Sequence, residues 1–115
     1  MKTSVYQLKE DIVACGALGS LVKLMTSNDP DIKKHSLVTL ISLVDDFEIR
    51  TQLGELEAVH SVLNLITSEF PTIQQLALRL ATTLCLEAAS RDQARILYTK
   101  FKYTGRIRFS IFDHY

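Results

Sequence analysis

Apolar residues recur every three or four positions along most of residues 5–97, which is the period of helices with one buried face. Between 17 and 44 they form two helical runs joined by Ser-Asn-Asp-Pro. We predict a helix from Ala17 to about Thr26 and a second that begins at Pro30, where the missing N–H of proline costs nothing. The inward positions of this stretch are expected to be Leu18, Leu21, Val22, Met25, Ile32, Ser36, Leu37, Leu40, Leu43 and Val44.

The same stretch returns 41 residues later, at 58–85, without a gap, and nine of the 28 aligned positions are identical. Unrelated helices of a bundle have no reason to align in this way, so we predict a repeat protein. A short first helix precedes the pair in each unit and should end near Gly16 or Gly54. The second unit has Glu57 in the place of Gly16 and Phe70 in the place of the capping residue Asp29.

A third unit begins and is not completed. Ser90 to Gln93 reads as a capping box, followed by a helix over about 94–101. A shift of 41 would align Arg50 with Arg91, whereas a shift of 45 aligns Arg50 with Arg95 and keeps the capping box, and we favour 45. The final residues alternate apolar and polar side chains from Arg106 to Ile111, which is the period of a strand.

The predicted fold class is therefore all-α, a helical solenoid of about two repeats plus a fragment of a third. We assign residues 1–97 to this repeat domain, with units at about 5–44 and 46–86 and a partial third from 90. Residues 98–115 are expected to form an irregular or strand-like basic aromatic tail. Because repeat units bury their apolar faces only against neighbours, the ends should expose apolar surface, which favours self-association or a truncated form of a longer repeat protein.

Charge and motifs narrow the function. Formal charge sums to zero over 115 residues, but 1–97 carries nine Lys/Arg against twelve Asp/Glu (9 − 12 = −3) and 98–115 carries four against one (4 − 1 = +3). No histidine pair, phosphate loop or nucleophile motif is present, so we expect no metal, no cofactor and no enzyme activity. Cys15 and Cys85, both within apolar runs, are predicted to be reduced and buried.

The start of the chain shows no signal peptide, and the longest apolar run is too short to span a membrane. We therefore expect a soluble intracellular protein, cytoplasmic or alternatively nuclear. A protein or peptide partner fits this picture best. The body is acidic, so nucleic acid is not its expected partner. The alternative function is binding of nucleic acid or of an acidic surface through the basic aromatic tail.

The unit resembles the armadillo repeat over roughly residues 5–97. The resemblance is carried by Gly16-Ala17-Leu18, Leu21 to Met25, Asp29 to Ile32 and Ser36 to Leu43, and in the second unit by Val62 to Ile66 and Ala77 to Leu84. The HEAT repeat is the nearest alternative, but its two-helix unit leaves the short first helices unexplained. The resemblance implies a right-handed solenoid that binds other proteins with its third helices.

Two positions of the third helix depart from the best-known armadillo groove, which holds basic peptides with Trp and Asn. Val38 and Arg79 stand at the Trp position, and Ser42 and Thr83 at the Asn position, so a different ligand is implied. The candidate protein-binding residues are Lys34, His35, Val38, Ser42, Gln75, Arg79 and Thr83. The candidates for contact by the tail are Lys100, Lys102, Arg106 and Arg108.

Overall fold

The computed structural model describes Leu8, Asp11 and residues 15–104, with side chains to residue 99. Within this part the chain forms six helices and no strand. They are α1 (Ala17–Leu24), α2 (Pro30–Leu43), α3 (Phe47–Glu55), α4 (Ala58–Ile66), α5 (Pro71–Leu84) and α6 (Ala88–Thr104). We call α1 and α2 unit 1 and α3, α4 and α5 unit 2; α6 begins a third unit. The all-α repeat architecture predicted from the sequence is confirmed.

The long helix of each unit begins at its proline, as predicted. The side chain of Asp29 accepts a hydrogen bond from the N–H of Asp31 (2.9 Å), which satisfies one of the free amides at the start of α2. At the start of α5, Phe70 provides no such bond. Both units have the same turn before this helix, because Ser27 Oγ accepts from the N–H of Asp29 and Ser68 Oγ accepts from the N–H of Phe70, each at 3.1 Å.

The second helix of each unit is entered through a left-handed residue. Gly16 has φ 76° before α1, and Glu57 has φ 56° before α4. Glycine adopts this conformation freely, whereas a side chain crowds the following carbonyl and costs about 1–2 kcal/mol. Unit 2 has Glu57 where unit 1 has a glycine, so its backbone is strained at the corner between α3 and α4.

Glu57→Gly should stabilise the protein by about 0.5–1 kcal/mol, because the relief of strain exceeds the entropy lost by a more flexible unfolded chain. Urea unfolding followed by circular dichroism measures the change. Gly16→Ala is the matched control and should destabilise, since Gly16 has open space around its Cα but a positive φ. A Glu57→Gly variant less stable than the parent would contradict the strain at this corner.

The core lies between the two units and within unit 2. Helix α5 packs against α4 on one side and against α2 on the other, and α6 packs against α4. Buried side chains from all four of these helices, such as Leu40, Val62, Leu80 and Ala94, belong to one apolar cluster. One inward prediction was wrong: Ile32 is 38% exposed, whereas its counterpart Ile73 is 3% exposed. Unit 1 packs against the side of α5, and no described helix covers the matching side of α2.

The register of the third unit is 41, and our preference for 45 was wrong. Arg50 Nη1 donates to the carbonyls of Val44 (2.8 Å) and Asp45 (3.0 Å), which end α2. Arg91 Nη1 donates to the carbonyls of Cys85 (3.2 Å) and Leu86 (3.3 Å), which follow α5. The donors and both pairs of acceptors are related by the same shift of 41.

The capping box predicted at Ser90 is also wrong, for a related reason. Helix α6 begins at Ala88, so Ser90 lies inside its first turn. This places Ser90 at the position of Ile49 in unit 2, and the side chain is fully buried with no hydrogen-bond partner for its Oγ. The local motif was outweighed by the packing of α6 on unit 2.

Helix α6 continues where the other units turn. In the 41-residue register, Tyr98 takes the place of Gly16 and Glu57, yet the helix runs on through Thr104. Residues 98–104 are therefore helical, which extends the helix expected over about 94–101 by one turn. The alternating segment from Arg106 to Ile111 lies outside the described residues.

The two cysteines differ in exposure, although both were predicted to be buried. Cys85 is buried at the end of α5, whereas Cys15 is exposed because it lies in the turn directly before Gly16. Neither thiol forms a disulfide within the described residues. Burial raises the pKa of the Cys85 thiol, against a smaller opposing effect of the nearby Arg91 and Arg95. This thiol is accordingly protonated and unreactive at neutral pH.

Candidate functional site

The predicted protein-binding residues form matching stripes on the two long helices. In α2, Lys34, Val38 and Ser42 are spaced four residues apart, so they lie one above another on the same side of the helix. Gln75, Arg79 and Thr83 repeat this stripe on α5. Because α2 and α5 pack side by side, the structure brings the two stripes onto neighbouring helices.

All but one of these side chains are exposed. Lys34, His35, Val38 and Ser42 face solvent on α2, as do Gln75 and Arg79 on α5, while Thr83 is half-buried. Val38 is exposed and does not belong to the apolar core, so its side chain is available for contact with another molecule. We call the seven residues the third-helix surface.

The hydroxyl groups of this surface are engaged with their own helices. Ser42 Oγ donates to the carbonyl of Thr39 (2.6 Å), and Thr83 Oγ1 donates to the carbonyl of Arg79 (3.2 Å). They retain acceptor capacity only. The longer side chains of Lys34, Gln75 and Arg79 therefore provide the free donors. Two of these three are cations, so the surface favours a neutral or acidic ligand over a basic one.

An ion pair between the units escaped the sequence reasoning. Arg50 Nε lies 2.8 Å from Glu87 Oε1, and both side chains are largely removed from solvent, with 15% and 21% exposed. The guanidinium thereby joins the end of α2 to the residue before α6. The only sequence signal was the recurrence of arginine at Arg50 and Arg91, which the 41-residue shift would have aligned.

A small cleft between α4 and α6 was also missed. It has a volume of about 210 Å³ and is lined by Glu57, His60, Gln93, Ile96 and Leu97. Gln93 Nε2 donates to the carbonyl of Gly54 (3.1 Å), which fixes the amide between α3 and α6. The other amide atom, Oε1, is buried with no hydrogen-bond partner.

The tail candidates cannot be placed on a surface. Lys100 and Lys102 lie in the last turns of α6, but their side chains are outside the described part, as are Arg106 and Arg108 altogether. Their role remains a prediction. Within the described residues, no helix is long and apolar enough to cross a membrane, and no three acidic, histidine or cysteine side chains cluster as metal ligands do.

The chain resembles a segment of much longer proteins. It is 27% identical over 93 residues, 81% of its length, to the serine/threonine-protein kinase Nek10 of Mus musculus and likewise to that of Homo sapiens. The matched segment is 8% of each kinase, so the chain spans a small part of these relatives. No solved structure matches the chain with comparable significance.

A family model also matches, and it does so on the helices described above. The model of the Armadillo/beta-catenin-like repeat matches residues 6–45, which include α1 and α2. Unit 2 repeats the same helix order, the same proline start and the same left-handed corner 41 residues later. Residues 6–45 therefore resemble an armadillo repeat, and unit 2 repeats the same helix order within an all-α repeat architecture.

Proposed function

We propose that the chain is a non-enzymatic armadillo-type interaction module whose third-helix surface binds a neutral or acidic segment of another protein. The supporting observation is the pair of exposed, matching stripes on α2 and α5, held side by side by the packing of the two helices. Repeat proteins use such extended surfaces because neighbouring units present them in line. Cysteines that form no disulfide within the described residues accord with action inside the cell, in cytoplasm or nucleus.

The residues of the third-helix surface contribute to partner binding in different ways. Arg79 and Lys34 attract carboxylates, and Val38 supplies apolar contact between them. His35, Ser42, Gln75 and Thr83 complete the boundary of the stripe. The name of Nek10 states a kinase activity, but the segment that matches this chain is only 8% of that protein. The likeness therefore fits a repeat segment that makes protein contacts.

Charge reversal at Arg79 should weaken partner binding about tenfold, since an attractive contact becomes repulsive. Tagged full chain would be used to capture proteins from cell extract, with quantitative mass spectrometry comparing parent and Arg79→Glu. The control is Arg95→Glu, an exposed arginine on α6 whose ion pair among the described residues is with the neighbouring Asp92. Partners captured equally by the parent and by Arg79→Glu would exclude the third-helix surface.

A further inference from the structure

One side of α5 is open where the corresponding side of α2 is covered by α5. On α2, Leu37 is fully buried and Ile41 is half-buried. Their counterparts on α5 are Leu78, which is half-buried, and Thr82, which is exposed. Leu86, one turn further along the chain, is 63% exposed. We call the surface of Leu78, Thr82 and Leu86 the open side of α5, since no described helix packs on it as α5 packs on α2.

The open side is a straight and mainly apolar row. Its members are four residues apart and therefore lie one above another. Leu86 follows the end of α5, but its N–H donates to the carbonyl of Thr83 (3.1 Å), which continues the turn. The hydroxyl of Thr82 donates to the carbonyl of Leu78 (2.8 Å) and is thus satisfied by its own helix. At a rise of 1.5 Å per residue, neighbours in the row are about 6 Å apart and the row is about 12 Å long.

The alternating segment from Arg106 to Ile111 has apolar side chains at the same spacing. Ile107, Phe109 and Ile111 occupy every second position. In an extended chain such positions point to one side and are about 6.6 Å apart, so three of them span about 13 Å. The two apolar rows therefore match in the number of side chains, in spacing and in length.

The chain is long enough to bring the two rows together. Helix α6 begins two residues after Leu86 and packs on α4, which itself packs on α5. Residues 105–115 follow α6 and reach about 36 Å when extended, whereas the 14 residues of α5 are about 21 Å long. The net charges, −3 over 1–97 and +3 over 98–115, also attract each other at short range.

We propose that the alternating segment lies extended along the open side of α5 in the same molecule, on the side that corresponds to the contact of α2 with α5. The contact removes apolar surface of both partners from water, which is the main source of its stability. The side chains of Arg106 and Arg108 then point away from α5. The side chains that face the open side are Ile107, Phe109 and Ile111. This contact does not depend on the function proposed for the third-helix surface.

Tryptophan fluorescence tests the proposal on the full chain. The sequence contains no tryptophan, so Phe109→Trp introduces a single reporter at an inward position. Ser110→Trp is the matched control at the adjacent outward position. An indole removed from water emits at shorter wavelength than one in water. Emission of Phe109→Trp should therefore lie at shorter wavelength than that of Ser110→Trp, and dilution should not change it because the contact is within one molecule.

Substitutions on α5 test where the segment lies. In the Phe109→Trp protein, Thr82→Lys places an ammonium group against apolar side chains, and emission should move to that of Ser110→Trp. Leu86→Lys is a second variant with the same expected shift. Thr39→Lys is the matched control on α2: Thr39 is exposed, and its hydroxyl also donates to the carbonyl four residues back at 2.8 Å. It should leave the emission unchanged, and circular dichroism checks that all variants retain their helices.

Four results would contradict the proposal. Equal emission of Phe109→Trp and Ser110→Trp would mean that the segment has no buried side. Emission that stays at short wavelength in both Thr82→Lys and Leu86→Lys would place the segment elsewhere on the molecule. A shift that disappears on dilution would mean that the segment binds a second molecule. A shift that is lost in Thr39→Lys would show that the effect is not specific to the open side of α5.

Discussion

Ile73→Ala is expected to lower the free energy of unfolding by about 3 kcal/mol, the largest effect of the substitutions considered. Ile73 is 3% exposed on α5, the helix against which unit 1 packs. Truncation removes three buried carbon atoms and leaves a cavity between two rigid helices, and such losses cost about 2–5 kcal/mol. Since small domains have only about 5–15 kcal/mol of stability, the contact between the units is expected to weaken markedly. Urea unfolding, with the slope checked against that of the parent, gives the value.

The repeat supplies its own control for this experiment. Ile32→Ala makes the same chemical change at the same register position of unit 1, where the side chain is 38% exposed. Its expected cost is about 1 kcal/mol or less, because little apolar area returns to water. Both variants should be measured at low protein concentration, so that contact between molecules does not add to the difference. Equal losses for the two variants would mean that unit 1 does not cover Ile73.

The sequence was sufficient for the elements whose signals are local. Pro30 and Pro71 begin the long helices, Asp29 caps α2 as its side chain suggests, and Gly16 adopts the left-handed turn. Each of these features depends on a few neighbouring residues, which is why pattern reasoning finds them. The identical spacing of the two units then fixed their architecture without any knowledge of their contacts.

The errors arose where a local signal and a distant contact disagreed. The capping-box motif at Ser90 involves only four neighbouring residues, and it favoured the wrong register. The true register is set by hydrogen bonds from Arg91 to carbonyl groups that precede α6. Ile32 has the same helical pattern as Ile73 and differs only in what packs on it. The periodicity of one helix identifies its apolar face but not whether that face has a neighbour.

The candidate site was predictable for a similar reason and to a similar extent. Val38 and Arg79 were selected from the resemblance to the armadillo third helix, and Lys34 lies one turn before Val38; all three side chains are exposed. The contact of Arg50 with Glu87 did not, because the two residues are 37 positions apart and neither belongs to a recognisable motif. Only the stacking of successive units brings such pairs together.

Arg50→Met is expected to destabilise the protein by about 2 kcal/mol, with the loss concentrated where the units meet. Methionine keeps the unbranched stem of the side chain to about the position of Nε, so the change removes mainly the guanidinium group. Two hydrogen bonds to the end of α2, to Val44 and Asp45, are lost together with the ion pair to Glu87. Hydrogen bonds to charged groups contribute about 1.5–3 kcal/mol when buried, and partial exposure of Arg50 and Glu87 reduces this.

The matched substitution is Arg91→Met, which removes the two equivalent carbonyl contacts, to Cys85 and Leu86, but no ion pair within the described residues. It should cost about 1 kcal/mol, and the difference between the variants estimates the contribution of Glu87. A double-mutant cycle of Arg50→Met with Glu87→Gln provides an independent value, expected at about 1 kcal/mol of coupling. If both arginine variants lose the same stability and the cycle shows no coupling, the carbonyl contacts alone account for the role of this arginine. If the coupling is present, Arg50 contributes to the contact between successive units, because its guanidinium joins the carbonyl groups after α2 to the carboxylate before α6.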